Sequence, residues 1–248
     1  MTMACLQCGK PKSIKAHLIP KAFVMEVKVD RGEQHLLIHQ GKNKSRVTVT
    51  GLYDDKLLCG TCDGILGDHE NYAYRLLKKI RQHKAPLGSI VSISQINGDK
   101  LVRFAAGIAW KYANTRPELG RIDIGPYSSH LAEVAFGKKE IPTAFDIVMF
   151  RLFESAGDTY FYRTPIPDHQ DGVNIVRFTV GSVVFFLKID KRNSGKLLPT
   201  ECWLRGKTEG AFVLVPAETF EEGRIHRDLA TNPSSLNFFR RMNEKSGI

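Results

Sequence analysis

The chain contains 248 residues, of which 42% are hydrophobic, so it is long enough to bury a core without help from disulfides. Its 36 basic and 26 acidic residues leave a net charge of +10 at pH 7, which favours a polyanionic partner such as nucleic acid. The sequence lacks an apolar run of the roughly 18 residues that a membrane-spanning helix needs, and its first residues lack the apolar core of a secretory signal. We therefore expect a cytoplasmic globular protein that does not enter a membrane.

The first part of the chain, up to about residue 85, has short apolar runs broken by Gly, Asp and Lys, as is typical of a small metal-nucleated unit. A helical period from Asp68 predicts a helix that stops at Pro86. The run "SIVSISQI" that follows is strand-like, and "NGDK" predicts a turn that closes a hairpin.

The rest of the chain predicts two helices and then a sheet. The helices are expected in "KLVRFAAGIAWKYAN" and "SSHLAEVAFG". From about residue 142 the pattern changes to period two, and the strand-like runs are "AFDIVMFRLF", "TYFYRT", "NIVRFTV", "SVVFFLKID", "ECWLRG" and "AFVLVPAE". A last amphipathic helix is expected around Leu236 and Phe239. The sequence therefore predicts an α+β protein with a zinc-binding module in residues 1–85 and, in residues 86–248, helices and a mostly antiparallel sheet.

Four of the five cysteines form two Cys-x2-Cys pairs. This usage favours metal thiolates in a reducing compartment over a disulfide framework. The two-residue spacer turns both thiolates of a pair toward one ion, and two pairs complete a tetrahedral set. The predicted ligands of a structural Zn²⁺ are Cys5, Cys8, Cys59 and Cys62. The alternatives are a redox pair or unrelated buried cysteines, and the second pair argues against redox chemistry.

A single histidine, His17, lies between the two cysteine pairs in "KAHLIPKAF", and the second pair follows in "KLLCGTCD". These residues resemble the HNH, or ββα-metal, nuclease family in its zinc-bearing form. That family has Cys-x2-Cys, a His-x2-Pro at the end of a strand, and a second Cys-x2-Cys that leads into a helix. The resemblance covers roughly residues 3–80 and looks closest to bacterial and phage proteins with "HxIPK" and "LLCxxCD" boxes. It implies an N-terminal ββα-metal module.

The resemblance also implies the roles of individual residues. His17 takes the position of the general base, and a neutral imidazole can deprotonate an attacking water at physiological pH. A catalytic Mg²⁺ or Mn²⁺ would stabilise the developing charge, with Asp63 as a ligand in place of the family's histidine. Asp54 corresponds most nearly to the middle Asn that orients the base. Ala16 stands where the family has an acidic ligand. A substitute ligand could come from the first helical turn: Asp68, His69 or Glu70.

Positive charge is concentrated around these motifs. The residues expected to contact a phosphate backbone are Lys15, Lys21, Arg75, Lys78 and Lys79. The alternative is that the helix in "RLLKKIRQHK" merely presents a solvated face. For His17 the alternative is a buried structural residue that bonds a backbone carbonyl inside a zinc-stapled hairpin.

Two functions remain open at the level of sequence. The leading hypothesis is an HNH-like nuclease that hydrolyses nucleic-acid phosphodiester bonds with a divalent metal. The alternative is a catalytically degraded HNH scaffold, a non-enzymatic zinc module that binds nucleic acid or a protein partner, for example in conflict between phage and bacterium.

Overall fold

The computed structural model describes residues 4–11, 14–31, 36–40, 44–48, 50–137, 139–153, 162–193, 197–233, 237 and 240–241. The helices in these residues are α1 (Lys21–Arg31), α2 (Gly60–Gln82), α3 (Gly98–Asn114), α4 (Ser128–Ala135) and α5 (Glu221–Thr231). The strands are β1 (Ala16–His17), β2 (Leu36–Gln40), β3 (Lys44–Thr48), β4 (Tyr53–Asp54), β5 (Ile90–Ile93), β6 (Phe145–Phe153), β7 (Tyr162–Gln170), β8 (Val173–Val180), β9 (Val183–Ile189) and β10 (Gly210–Pro216). None of these helices combines the length and apolar character that crossing a bilayer requires.

The large sheet has eight strands in the order β3-β2-β7-β8-β9-β6-β10-β5. Most neighbours run antiparallel, which confirms the α+β class with a mostly antiparallel sheet. Two pairs, β2 with β7 and β6 with β10, run parallel. Strands β2 and β3 come from the first 85 residues of the chain, so this part contributes directly to the edge of the sheet.

A second, much smaller sheet forms near the N-terminus. Strand β1 pairs antiparallel with β4, so that Ala16 lies opposite Asp54 and His17 lies opposite Tyr53. Helix α2 begins six residues after β4 ends. We call this two-stranded sheet the ribbon. The segment that contains α1, β2 and β3 is inserted between its two strands.

Helix α3 lies at the centre of the main hydrophobic core. Its buried residues include Phe104, whose ring centroid lies 6.2 Å from that of Phe178 and 5.6 Å from that of Phe185. The same buried cluster includes Leu58 beside the second cysteine pair. The ribbon, α2, α3 and one face of the sheet therefore share one core.

The other face of the sheet packs against a second cluster. Because side chains alternate along a strand, Phe185 joins the main core whereas Phe186 joins this second one. The ring centroid of Phe220 lies 5.5 Å from that of Phe186 and 5.1 Å from that of Phe150. Burial on both faces explains why the strands are nearly continuous apolar runs.

Three predicted elements differ from the structure, and one lies outside it. Helix α2 begins at Gly60, eight residues before the predicted start at Asp68, because Cys59 and the second cysteine knuckle form its first turn. The "NGDK" segment does not close a hairpin: the Asn97 side chain accepts a hydrogen bond from the Lys100 amide at 2.9 Å and caps α3. The "ECWLRG" run forms a 3-10 turn at Thr200–Cys202 instead of a strand. The predicted tail helix around Leu236 and Phe239 falls on residues outside the described ranges.

Candidate functional site

The four predicted zinc ligands lie together. Their sulfur atoms are all within 4.8 Å of one another, and those of Cys8 and Cys59 are 3.6 Å apart. A tetrahedral site with Zn–S bonds of about 2.3 Å places its sulfurs roughly 3.8 Å apart. The arrangement is therefore compatible with a structural metal site that joins the N-terminal knuckle to the start of α2.

Local backbone geometry builds the first knuckle. The Gly9 amide donates to the Cys5 carbonyl at 2.8 Å, and Gly9 has a φ of +71°, which a side chain would strain. The Leu6 amide donates to the Leu57 carbonyl at 3.0 Å, so the knuckle is fixed against the chain that leads to Cys59. Burial raises the pKa of the Cys5 thiol, but backbone hydrogen bonds at Cys59 and Cys8 outweigh this effect and lower it to about 6. A thiolate, the form that binds metal, is thereby favoured.

The ribbon places His17 close to α2 and α3. Its side chain is half-buried, and its Cδ2 atom lies 3.6 Å from the position that a Cβ on Gly51 would occupy. Burial lowers the pKa of His17, and the charges of Lys111 and Lys21 lower it further, against opposing contributions from the Thr50 carbonyl and Glu70. The imidazole is therefore neutral at pH 7 and able to accept a proton.

A buried lysine from α3 completes the surroundings of His17. The Lys111 ammonium donates to the His17 carbonyl oxygen at 2.7 Å and to Glu70 Oε1 at 2.7 Å. Its side chain is 1% exposed. Asp63 lies seven residues before Glu70 on α2, which puts the two carboxylates on the same face, two turns apart. Burial raises the pKa of Asp63, while Lys111 opposes that rise and Glu70 adds to it.

Asp54 lies opposite Ala16 on the ribbon, and its carboxylate bonds to residues that follow β4 and α3. Its carboxylate accepts hydrogen bonds from the Thr115 hydroxyl at 2.7 Å, the Lys56 amide at 2.9 Å and the Arg116 amide at 3.1 Å. Its side chain is 1% exposed. Burial alone would raise the pKa of Asp54, but these hydrogen bonds and the charge of Arg116 lower it. The carboxylate thus ties β4 to the end of α3.

His69 lies in a region of mixed charge. Burial lowers its pKa, and Arg103 and Lys100 of α3 lower it further, against opposing contributions from Asp68 and Glu70. Its Nδ1 atom is buried and has no hydrogen-bond partner among the residues that the structure describes. His69 therefore lies between basic groups of α3 and the acidic Asp68 and Glu70 of its own helix.

The predicted divalent-ion ligands are not brought together. Across the described ranges, the cysteine set is the one group of three or more metal-ligating side chains close enough to share an ion. Among the predicted ligands Glu70 is paired with Lys111, and Ala16, at the position of the family's acidic ligand, is fully buried. Asp63 and the exposed Asp68 are left, and within the described ranges neither belongs to a group that could share an ion, so this arrangement does not fit an Mg²⁺ or Mn²⁺ held by the expected set.

The predicted phosphate-contacting side chains are exposed: Lys15, Lys21, Arg75, Lys78 and Lys79. The Lys15 ammonium lies 5.2 Å from the centroid of the Tyr53 ring, so it flanks the ribbon. The Lys78 ammonium lies 5.1 Å from the Tyr74 ring and 3.9 Å from Glu26 Oε1. Lys15 and Lys21 are thus near His17, whereas the other three follow α2 away from it.

Comparison with known proteins gives no match: no family model, curated protein or solved structure is similar to the chain. The resemblance to HNH nucleases therefore stays a prediction from the motifs.

Sequence reasoning missed the role of Lys111 and considered Glu70 merely as one of several substitute ligands. A signal was present, because a lysine between Trp110 and Tyr112 interrupts the apolar stretch that begins at Phe104. A charged residue on a buried helix face needs a partner.

Proposed function

We propose that residues 1–85 form an HNH-like ββα module that hydrolyses phosphodiester bonds of nucleic acid, with His17 as the general base. The observation that carries this proposal is the position of His17 on a two-stranded ribbon beside α2, half-buried and with a lowered pKa. A base must be neutral at working pH and open to the water that it activates; a lowered pKa favours the neutral imidazole, and the half-buried side chain keeps part of its surface open.

The four cysteines support a structural role for Zn²⁺. When bound by four thiolates, the ion leaves no open position and supplies folding energy instead of chemistry. In this role it joins the knuckle at Cys5 and Cys8 to the start of α2, and so fixes the ribbon that carries His17.

The proposed reaction uses His17 to activate water. The water oxygen bonds to phosphorus while its proton passes to the imidazole; the bond from phosphorus to the leaving oxygen breaks, and that oxygen takes a proton from solvent. The exposed ammonium groups of Lys15 and Lys21 lie where they can attract the phosphate. No step is assigned to Mg²⁺ or Mn²⁺, because the donor set does not fit one.

Nucleic acid is the proposed substrate because of the charge of this region. The net charge of +10 and the exposed cations near the ribbon and along α2 favour a polyanion. Residues 86–248 are proposed to contribute target choice or a partner surface.

A second candidate function is a non-catalytic zinc module that binds nucleic acid or a protein partner. The observation that favours it is that the acidic positions expected to serve catalysis are either absent, as at Ala16, or used structurally, as at Asp54. This module would keep the ribbon and the cysteines but would need no base.

Nicking of supercoiled plasmid and cleavage of single-stranded RNA by the zinc-loaded full chain distinguish the two candidates. We expect cleavage by the wild type and its loss in His17→Ala, with zinc content unchanged. His130→Ala is the matched control, since His130 is an exposed histidine on α4. Equal binding of nucleic acid by all three proteins without cleavage would favour the non-catalytic module.

A further inference from the structure

Lys111 carries a charge in the protein core, where an ion that has lost its water is unfavourable. It belongs to the buried stretch of α3 and is 1% exposed. An ammonium removed from water is tolerated where oxygen acceptors surround it. Here those acceptors are the His17 carbonyl and the Glu70 carboxylate, each 2.7 Å from Nζ. The lysine therefore has a specific position that its partners define.

That position is the meeting point of three elements. The carbonyl belongs to β1, the carboxylate belongs to α2, and the ammonium comes from α3. The partners are 94 and 41 residues away from Lys111 along the chain. A hard divalent cation takes the same kinds of donor, carbonyl and carboxylate oxygens. The ammonium thus occupies oxygen donors between the proposed base and the helix where a metal ion was expected.

The charges around His17 also indicate that this position needs a cation. Asp63 and Glu70 place two carboxylates on the face of α2 near His17, and the charge of Lys111 acts on both Asp63 and His17. Without a cation, these carboxylates would repel an approaching phosphodiester. The fixed positive charge of Lys111 offsets part of this repulsion.

We propose that the Lys111 ammonium is the built-in cation of this site, filling the position between His17 and Glu70 that a divalent ion would otherwise take. The consequence for catalysis rests on the proposed function: cleavage proceeds without an added divalent ion. Because Lys111 is buried, it is a positioning residue. It holds the β1 backbone through the His17 carbonyl and neutralises Glu70, while His17 remains the group that meets the substrate.

Binding of Mn²⁺, followed by the electron paramagnetic resonance signal of the free ion, tests the assignment without relying on activity. We expect the zinc-loaded wild type to bind Mn²⁺ weakly and Lys111→Met to bind one ion about tenfold more tightly or better, because the variant removes a unit positive charge and frees the carboxylate. The double variant Lys111→Met/Glu70→Gln should lose that gain. It also replaces the buried ion pair by neutral groups of similar size, which guards against a variant that fails to fold.

Plasmid nicking is measured with the same proteins in buffer passed over a chelating resin, with zinc content checked. The wild type should nick DNA there, and Lys111→Met should nick it at least tenfold more slowly until Mn²⁺ is added. A merely structural role for Lys111 would not produce rescue by Mn²⁺.

The possible failures separate the two proposals. Equal Mn²⁺ binding by the wild type and Lys111→Met would overturn the proposal that Lys111 is the built-in cation. Wild-type nicking that requires Mg²⁺ or Mn²⁺ would also overturn it, but would leave the proposed nuclease function standing. The predicted gain of Mn²⁺ binding in proteins that never nick would support the cation position and refute the nuclease.

Discussion

The ribbon and the large sheet are both β-structure, but different forces stabilise them. The strands of the ribbon are two residues long, whereas β6, β8 and β9 have seven to nine residues and are buried on both faces. A two-stranded sheet of this size is unstable alone in water. Apolar burial stabilises the large sheet. The ribbon is stabilised in addition by specific groups: the cysteine cluster, Asp54 and Lys111. The proposed functional residues lie in the region that depends on specific polar contacts and on the cysteine cluster.

Removal of one cysteine ligand should have the largest effect, and it should destabilise the ribbon more than the large sheet. Cys59→Ser should abolish stoichiometric zinc binding and unfold the ribbon, because a structural site of this kind contributes on the order of 10 kcal/mol to folding. Elemental analysis and circular dichroism measure the two effects. Cys202→Ser is the matched control: this cysteine is buried in the second cluster, and its variant should keep full zinc content. Equal zinc loss in both variants would contradict the assignment.

The large sheet should be destabilised by loss of apolar burial. Phe185 is fully buried, and its ring stacks on that of Phe178 with centroids 4.9 Å apart. Phe185→Ala should lower the free energy of unfolding by about 3–5 kcal/mol through the cavity that it leaves. Urea denaturation measures the loss. Zinc content of the folded variant should equal that of the wild type, and its reduction would show that the two regions are not separable in this way.

Asp54 tests how strongly the ribbon depends on polar contacts, because its carboxylate holds the ribbon in the structure but was predicted to orient the base. Asp54→Ala leaves the Thr115 hydroxyl and two amides without an acceptor, so we expect a loss of about 3 kcal/mol in the free energy of unfolding. Because the pKa of Asp54 is lowered by folding, its stabilising contribution is present above its ordinary pKa and is lost as the pH falls below it. The stability difference between variant and wild type should therefore shrink in acid. A constant difference down to about pH 2, well below the ordinary carboxyl pKa, would contradict this role.

The smallest expected effect concerns the charge around His17. Its pKa is lowered in the fold, so the acid limb of the cleavage rate should lie below pH 6.5, where protonation removes the base. Lys21→Gln should move that limb to higher pH, because the Lys21 ammonium is one of the charges that lower the pKa. A pH profile of single-turnover cleavage measures the shift. Lys79→Gln, at an exposed position on α2, is the control and should leave the limb unchanged.

The parts of this account that sequence could predict are local. The Cys-x2-Cys spacing predicts the knuckles, and apolar runs predict β6, β8 and β9, because the determining residues are neighbours in the chain. Lys111 could not be placed, since its partners His17 and Glu70 are brought to it by the packing of α3. The contacts of the Asp54 carboxylate could not be predicted either, because its partner Thr115 is 61 residues away. The parallel pairing of β2 with β7 depends on a long crossover, which no local pattern reveals.

The most direct test of His17 as the general base is the ratio of single-turnover nicking rates of the zinc-loaded wild type and His17→Ala. We expect the wild type to be about 100-fold faster or more, the usual contribution of a general base, with zinc content and folding unchanged. Equal rates in the two proteins, or no nicking by a folded and zinc-loaded wild type, would contradict this role.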